Sequence, residues 1–390
     1  MSAQFQEPKE ARIKMNFSQY KYIPTLRTRA SEMLGVEKLS DSTKEKILPF
    51  VCLSKVNRIA SASGAFDKWH SAFDKPAILG LSEDKRLQVE DYAQLMSSED
   101  GFSAWATFFM NAKKVNDLLI PSLILNKNVG KRDFVKQLQR FESEFGKVVL
   151  RVNPLHRREV AAAMTAASVI GSTDNILFIL DAGQISREHQ KAILDATIHA
   201  LNELRLIDPR IEVVTTSSSF PRMFQSYTQD RDGKYGEIPM LEWENYHALG
   251  GQNIAIYGDY AGIHGEFYEG SYAKFVARVD YPTPATWIFE RRRQVKDRNA
   301  ADVPREKLYS RAARGIVTSE SWDDSLDVWG AKIIREAANN QLEKFGTPAK
   351  WISVRLNLHI ERITRFLDEG VSIPQDSLDN DDWDKDEFDW

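Results

Sequence analysis

Eight short apolar runs recur along the chain, and helical patterns separate most of them. Most of the runs are continuously apolar rather than alternating with polar residues, which favours strands buried on both faces of a parallel sheet. Eight strand–helix units predict an α/β fold of the (β/α)8 TIM-barrel-like type with added C-terminal helices. A doubly wound open parallel sheet is the alternative. The runs lie at 22–27, 47–54, 77–82, 118–126, 147–153, 175–182, 210–218 and 253–260.

The segments between the runs support helical crossovers. Residues 131–145 carry one apolar stripe at helical spacing, and Gly146 is placed to end that helix. Residues 158–170 and 187–206 repeat the arrangement. The interval 83–117 is long for a single crossover, so we predict that it contains an insertion of two helices.

The pattern divides the chain into four parts. After the last apolar run, two further helices are predicted near 323–345 and 351–368. Acids and turn formers dominate the last residues, so we expect no fixed structure there. The parts are a polar N-terminal segment (1–19), a barrel-like α/β domain (20–262), a C-terminal extension packed on the barrel (263–370) and a disordered acidic-aromatic tail (371–390).

Composition excludes several classes of protein. The 42% of hydrophobic residues supplies enough apolar mass for one large core or two modest ones. The polar start lacks the apolar region of a signal peptide, and no stretch of 18 uncharged apolar residues occurs. We therefore expect a cytoplasmic protein with no membrane partner. The single cysteine, Cys52, cannot form an internal disulfide and lies in an apolar run, as a buried thiol does.

The net charge of −4 is unevenly distributed along the chain. Residues 376–390 hold eight acids and one lysine, which gives −7, so the remainder carries −4 minus −7, or +3. The tail aromatics Trp383, Phe388 and Trp390 stand among these acids and predict docking on a protein partner, with a solubilising terminus as the alternative. Residues 290–314 hold nine Arg or Lys and four acids. Such a segment is typical of a solvated face or, alternatively, of nucleic-acid or nucleotide binding.

Polar residues occupy the ends of the predicted strands, and in a parallel barrel these ends converge on one mouth. Asp181 ends the sixth strand and Asp259 the eighth, and we expect both to point into the mouth beside Arg151. A carboxylate there can orient a guanidinium or accept a proton, so Asp181 and Asp259 are the candidate catalytic residues. The candidate ligand-binding residues are Arg27, Arg29, Arg151, Ser217, Ser218 and Ser219. The alternatives are a structural salt-bridge network and, for the serines, a simple turn.

Standard catalytic and cofactor motifs are absent from the sequence. No complete P-loop, no GxGxxG after a strand and no GxSxG elbow occurs. The seven histidines show no metal-ligand spacing, so we predict no metal site, and no cofactor can be assigned. The carboxylates of Asp181 and Asp259 alone make a weak case for a divalent cation.

Several segments follow one another along the sequence in a recognisable order. They are YKYIPTLRTRASEMLGVEKLSDSTKEKILPFVCLS near the start, SSSFP at 217–221, LEWENYHAL at 241–249, IYGDYAG at 256–262, and SWDD followed by PAKWISVRLNLHI. Together they resemble the Beta protein family of phages and bacteria over most of residues 20–368. The resemblance implies a TIM-barrel-like body and a place in phage, mobile-element or defence loci, and it implies no particular reaction. The run RVDYPTPATW departs from the family pattern, so no function is carried over to 278–286.

Two classes of function stay open. The first is a component of a phage-related or anti-phage conflict system that binds a partner protein or an anionic ligand. The second is a barrel enzyme acting on a phosphate-containing or nucleotide substrate, with Arg27 and Arg151 clamping the anion. In that case Asp181 or Asp259 is the acid, base or metal ligand. An open pocket containing these side chains would favour the enzyme, and a plugged mouth would favour the binding protein.

Overall fold

The computed structural model describes residues 16–55, 58, 60–268, 275–294 and 303–371. Eight parallel strands form the centre of the molecule, and each lies within or overlaps one of the apolar runs. They are β1 (Tyr22–Arg27), β2 (Phe50–Leu53), β3 (Ile78–Leu81), β4 (Ile120–Pro121), β5 (Val148–Val152), β6 (Ile176–Gln184), β7 (Val213–Ser218) and β9 (Ile256–Asp259). The prediction of eight parallel strands is confirmed.

The strands curl into a barrel that is nearly closed. Their spatial order is β4-β3-β2-β1-β9-β7-β6-β5, and every neighbouring pair is parallel. A parallel bridge between Ser122 and Val149 joins the two ends, with the Leu123 N–H donating to the Val149 carbonyl at 2.8 Å. The barrel is therefore the correct alternative, and the open sheet is excluded.

Helices surround the barrel as the sequence pattern predicts. The two-helix insertion between 83 and 117 is confirmed by α4 and α5, and the helix at 131–145 by α6. The helices are α1 (Ala30–Glu37), α2 (Asp41–Lys46), α3 (Ala62–Ala72), α4 (Tyr92–Leu95), α5 (Ser103–Val115), α6 (Lys131–Phe145), α7 (Arg157–Val169), α8 (Gln190–Ile207), α9 (Leu241–Leu249), α10 (Arg305–Val317), α11 (Trp329–Ala338) and α12 (Pro348–Glu369).

Alternate residues of each strand point into the barrel or out towards the helices. The interior is a packed apolar core to which Ile23, Phe50, Val149, Ile179 and Val214 contribute. Phe17 and Tyr20, which precede β1, belong to the same core. They close the amino-terminal end of the barrel, so any opening to the interior lies at the carboxyl ends of the strands.

A second unit, here called the lobe, consists of β8 (Tyr235–Pro239), β10 (Val276–Pro282), β11 (Thr286–Arg293), α10 and α11. Its three strands form an antiparallel sheet in the order β10-β11-β8. One face of this sheet packs against α10 and α11 through Ala277, Val279 and Tyr281. None of these strands was predicted, because charged residues interrupt their apolar residues and they are not continuously apolar runs.

Helix α12 belongs to both packing units. Leu356, Ile360 and Ile363 lie in the main core around the barrel, whereas Val354 and Leu358 lie in the core of the lobe. Since α12 packs beside β1 and follows β9 in the chain, it takes the place of the eighth barrel helix. The domain boundary at 262 stays a prediction.

Candidate functional site

The mouth of the barrel holds a compact network of Arg151, Asp181 and Tyr260. Arg151 Nε donates to Asp181 Oδ2 at 2.6 Å, and Arg151 Nη2 donates to the Tyr260 hydroxyl at 2.8 Å. That hydroxyl lies 2.8 and 3.0 Å from the two carboxylate oxygens, and the Gly183 N–H donates to Oδ1 at 2.8 Å. The structure thus brings together Arg151 and Asp181, as predicted.

Charge and burial fix the protonation states of Arg151 and Tyr260. Burial alone would lower the pKa of Arg151, but Asp181 together with Tyr260, Cys52 and Glu83 outweighs it, and the pKa lies well above its usual value. Burial, together with Asp181, raises the pKa of Tyr260 above its ordinary range. The guanidinium therefore stays charged and the hydroxyl stays neutral, so neither group is prepared to act as a base.

Residues 261–268, here called the cover segment, lie across the mouth. Arg27, which is 9% exposed, donates to the carbonyl of His264 at 3.4 Å and to that of Gly265. The Gly265 N–H in turn donates to Gln184 Oε1 at 2.8 Å. Arg27 thus reaches the mouth, as predicted, but its guanidinium is occupied by backbone carbonyls of the cover segment.

Little empty space is left beside the network. The cavity bordered by Arg151, Phe50 and Trp105 measures about 40 Å³, enough for a few water molecules and too small for an organic ligand. A neighbouring cleft of about 460 Å³ is open to solvent between the loops that follow β3, β4 and β5. It is lined by Glu83, Tyr92, Asn126, Lys127, His156 and Glu159. Unlike the small cavity, this cleft has the size of a ligand pocket.

Arg27, Arg29 and Arg222, here called the basic rim, lie around the cover segment. The guanidinium carbon of Arg29 lies 4.3 Å from the ring centroid of Phe267, and that of Arg222 lies 5.1 Å from the ring centroid of Tyr268. Within the described part of the chain, none of the three guanidiniums has a carboxylate within 4 Å. The rim therefore carries positive charge without a paired acid.

The hydroxyls of Ser218 and Ser219, at the end of β7, form hydrogen bonds within the protein. The Ser218 hydroxyl donates to the Ile263 carbonyl at 2.7 Å, and the Ser219 hydroxyl donates to the Pro239 carbonyl at 2.9 Å. Ser217 is 7% exposed and lies next to them. Two of the three predicted anion ligands thus fasten the cover segment and the lobe strand β8 to the barrel, and the ligand-binding role of the serines stays a prediction.

Asp259 lies outside the barrel, between β9 and α12. Its carboxylate is 1% exposed and accepts from the hydroxyls of Tyr22 at 2.6 Å and Tyr257 at 2.9 Å. The Ala261 N–H donates to it at 2.8 Å, and His359 Nε2 lies 2.5 Å from Oδ2. Burial alone would raise the pKa of Asp259, but His359 and these hydrogen bonds outweigh it and lower the pKa.

The expected position of Asp259 in the mouth is therefore wrong, and the two-residue period of a strand explains why. Gly258 faces the interior, since a Cβ there would lie 2.3 Å from Thr216 Oγ1, and Tyr260 faces it as well. Asp259, between them, must face outwards, so it cannot share a site with Asp181. Its catalytic role is only a prediction from the sequence.

The basic segment 290–314 does not form one continuous element. It covers the end of β11 and most of α10, and residues 295–302 between them lie outside the described residues. Arg291 is 6% exposed and faces the barrel rather than solvent. The tail residues Trp383, Phe388 and Trp390 also lie outside the described residues, as do residues 1–15.

The described residues contain neither a metal-binding cluster nor a membrane-spanning helix. No group of three or more His, Cys, Asp or Glu side chains there is arranged to hold a metal ion. In the same part of the chain, no helix combines the length and the apolar composition that crossing a membrane requires.

Comparison with known proteins identifies a family and a relative of this chain. A family model described as Beta protein matches residues 22–365. The chain belongs to the Beta protein family. It is similar to Protein beta of Enterobacteria phage P4, with 31% identity over 370 residues, which cover 94% of this chain and 100% of the phage protein. The resemblance predicted from the order of the sequence segments is confirmed, and the relation to phage proteins is confirmed with it.

Two residues of this Beta protein family member were missed at the sequence level. Tyr260, which completes the network with Asp181, could have been found by extending the two-residue period of β9 by one position. His359 gave no signal, because nothing in a single sequence relates α12 to a strand 100 residues earlier. The network in the mouth is internally satisfied, so its arrangement supports binding at the rim or the cleft more than chemistry on the barrel axis.

Proposed function

We propose that this protein is a binding component of a phage-related conflict system and that its basic rim engages an anionic ligand. The supporting observation is the convergence of Arg27, Arg29 and Arg222 on one loop without a carboxylate within 4 Å, among the residues described. Glu32 is close by, but it accepts a hydrogen bond from the backbone N–H of Arg27 rather than from its guanidinium. An excess of positive charge at a mouth attracts and orients anions.

A binding function without catalysis agrees best with the arrangement of the side chains in the mouth beneath the rim. Asp181 is 5% exposed, and its two oxygens are occupied by Arg151, Tyr260 and the Gly183 N–H. A general base must reach the proton that it removes, either directly or through one water. An anion held by the rim would meet the backbone of the cover segment and not this carboxylate.

The open cleft favours a second candidate, an enzyme that acts on a phosphate-containing or nucleotide substrate. His156 Nδ1 lies 2.8 Å from Glu159 Oε1 at the edge of this cleft. A carboxylate that orients an imidazole is a common general-base arrangement. Lys127 and Arg151, which line the cleft and the small cavity next to it, would supply positive charge for the substrate.

A double variant tests the binding proposal. Arg29→Gln with Arg222→Gln should weaken binding of a nucleotide or an oligonucleotide at least about tenfold at low salt, since each charge-assisted contact contributes about 1.5–3 kcal/mol. The matched control is Arg210→Gln at the opposite end of the barrel, where Arg210 is paired with Asp208 in an exposed ion pair. The same variants are then compared in a host challenged with phage.

The outcomes separate the two candidates. Weakened binding and lost protection in the double variant, with the control unchanged, would support the basic rim. Unchanged binding of every probe in the double variant would contradict it. Full binding combined with lost protection in His156→Gln would favour the enzyme, because that change removes the imidazole and no charge of the rim.

A further inference from the structure

Two arginines stand directly opposite each other on the lobe sheet. Arg278 of β10 and Arg291 of β11 are partners in the antiparallel ladder, so both side chains leave the same face. Trp287 and Phe289 on this face belong to the main core, which shows that it faces the barrel. Like charges placed directly opposite each other destabilise a sheet. The pair is therefore expected to have a compensating group.

Arg355 of α12 adds a third guanidinium, and the Asp280 carboxylate lies within 4 Å of two of the three. Asp280 Oδ2 lies 3.1 Å from Arg355 Nη1, and Oδ1 lies 2.7 Å from Arg278 Nε without the alignment of a hydrogen bond. Arg291 has no carboxylate within 4 Å in the described part of the chain. Three arginines and one aspartate give this cluster a formal charge of 3 minus 1, or +2.

Several donors of the cluster are buried without a partner. Arg291 is 6% exposed and Arg355 is 4% exposed, yet Arg291 Nη1 and Arg355 Nε meet no acceptor among the described residues. A buried N–H of a charged group costs free energy unless an acceptor satisfies it. Burial also lowers the pKa of both guanidiniums. These donors are thus left without a protein acceptor in the described part of the chain, as the donors of an unoccupied anion site would be.

Aromatic rings fix the orientation of two of the guanidiniums. The guanidinium carbon of Arg278 lies 3.4 Å from the ring centroid of Phe224, and that of Arg355 lies 4.1 Å from the ring centroid of Phe220. Stacking of this kind holds the plane of a guanidinium while its N–H edge stays free for a ligand. The Arg278 side chain is 21% exposed, so the cluster can be reached from solvent.

We propose that Arg278, Arg291 and Arg355 form a binding site for a phosphate monoester at the junction of the lobe and the barrel. A phosphate monoester carries nearly two negative charges near neutral pH and has three acceptor oxygens, which match the charge and the donors of the cluster. A phosphodiester carries only one charge and fits less well. The site contains none of the residues of the basic rim, and the proposal does not depend on a ligand there.

Binding at this site has a structural consequence. The three arginines come from β10, β11 and α12, so one anion would link the lobe sheet to the helix that closes the barrel. A ligand that binds only the folded state raises the unfolding temperature according to its concentration and affinity. Thermal unfolding of the full chain therefore reports on the site without knowledge of the natural ligand.

The experiment compares thermal unfolding in inorganic phosphate, a nucleoside monophosphate, dimethyl phosphate and chloride at equal ionic strength. We expect phosphate and the monophosphate to raise Tm by about 2–5 °C at saturation and dimethyl phosphate to raise it less. Arg291→Met should lose this increase and should unfold in chloride at the same or a higher temperature, because it removes a buried unpaired charge. A purely structural arginine would instead lower that temperature.

The matched control is Arg292→Gln, the next residue in β11, which makes the same change of charge but pairs with Glu290. It should keep the phosphate effect, and so should the double variant of the basic rim. Equal Tm in phosphate and chloride, or an undiminished phosphate effect in Arg291→Met, would overturn the proposal. If Arg291→Met fails to fold, Asp280→Asn decides: it raises the cluster charge to +3 and must increase the affinity for phosphate.

Discussion

His359 Nε2 lies 2.5 Å from Asp259 Oδ2, and neither side chain is more than 1% exposed. The pair connects α12 to the last strand of the barrel. The ring of Trp287 from the lobe stacks on the His359 imidazole, with centroids 4.9 Å apart and planes inclined by 16°. One buried pair thus contacts the barrel, its closing helix and the lobe, which gives Asp259 a structural role.

Asp259→Ala is therefore expected to impair folding. The change leaves His359 and the hydroxyls of Tyr22 and Tyr257 without their acceptor, so the free energy of unfolding should fall by about 3–5 kcal/mol. Chemical denaturation measures this loss, and Asp195→Ala on the exposed side of α8 is the control. A loss below about 1 kcal/mol would show that the pair contributes little.

Tyr260→Phe tests the network in the mouth. It removes the hydroxyl that bridges Arg151 and Asp181, and it should lower the free energy of unfolding by about 1–3 kcal/mol because buried partners are left unsatisfied. The matched control is Tyr246→Phe, since the Tyr246 hydroxyl is buried and has no partner among the described residues. That change should be neutral or stabilising. An equal loss of unfolding free energy in the two variants would mean that the hydrogen bonds of Tyr260 contribute no more to stability than an unpaired buried hydroxyl does.

The central fold could be predicted because a two-sided buried strand leaves a strong local signal. Runs such as 147–153 and 175–182 are apolar on both faces, and each contains or overlaps a barrel strand. The lobe strands escaped prediction since charged residues interrupt their apolar residues. In β10, Ala277 and Val279 pack on helices while Arg278 and Asp280 face the barrel. The resulting mixture of charged and apolar residues resembles a solvated segment.

The candidate site could be predicted only in part. Arg151 and Asp181 were assigned to one mouth because the ends of parallel strands converge there, and the structure places them in contact. Predicting the direction of a side chain requires knowledge of which strand residues face the barrel interior. An error of one residue in this assignment places Asp259 on the wrong face of β9. Contacts with the cover segment and with α12 depend on long-range packing, for which a single sequence carries no signal.

Glu242→Gln should change the pH dependence of stability. Burial raises the pKa of Glu242 to about 7, and the nearby Asp259 charge adds to this, whereas hydrogen bonds from Ser219 act against it. Because the folded pKa exceeds the unfolded value, the stabilisation is complete below about pH 4.5 and is lost as pH rises towards 7.

The loss amounts to about 3 kcal/mol for the wild type, and the neutral Gln variant should not show it. Chemical denaturation at pH 5, 6, 7 and 8 gives the difference between the two proteins. Glu188→Gln, an exposed position just before α8, controls for the change of charge. A difference that stays constant with pH would mean that Glu242 is ionised throughout this range.

A prediction about the acidic tail rests on charge alone, because residues 372–390 lie outside the described residues. Residues 376–390 carry −7 and the rest of the chain +3, so the tail is expected to shield basic surface at low salt. Deleting 376–390 should strengthen binding of an oligonucleotide at about 50 mM salt and much less at about 200 mM, as screening increases. Filter binding measures both.

A full-length variant with Trp383, Phe388 and Trp390 replaced by alanine separates the two roles proposed for the tail. It keeps the acids, so it should bind the oligonucleotide like the wild type if shielding is electrostatic. If the aromatic residues dock on a protein partner, the same variant should lose that partner in affinity capture while its oligonucleotide affinity stays unchanged. Equal oligonucleotide affinity of the deletion variant and the wild type at both salt concentrations would rule out self-shielding.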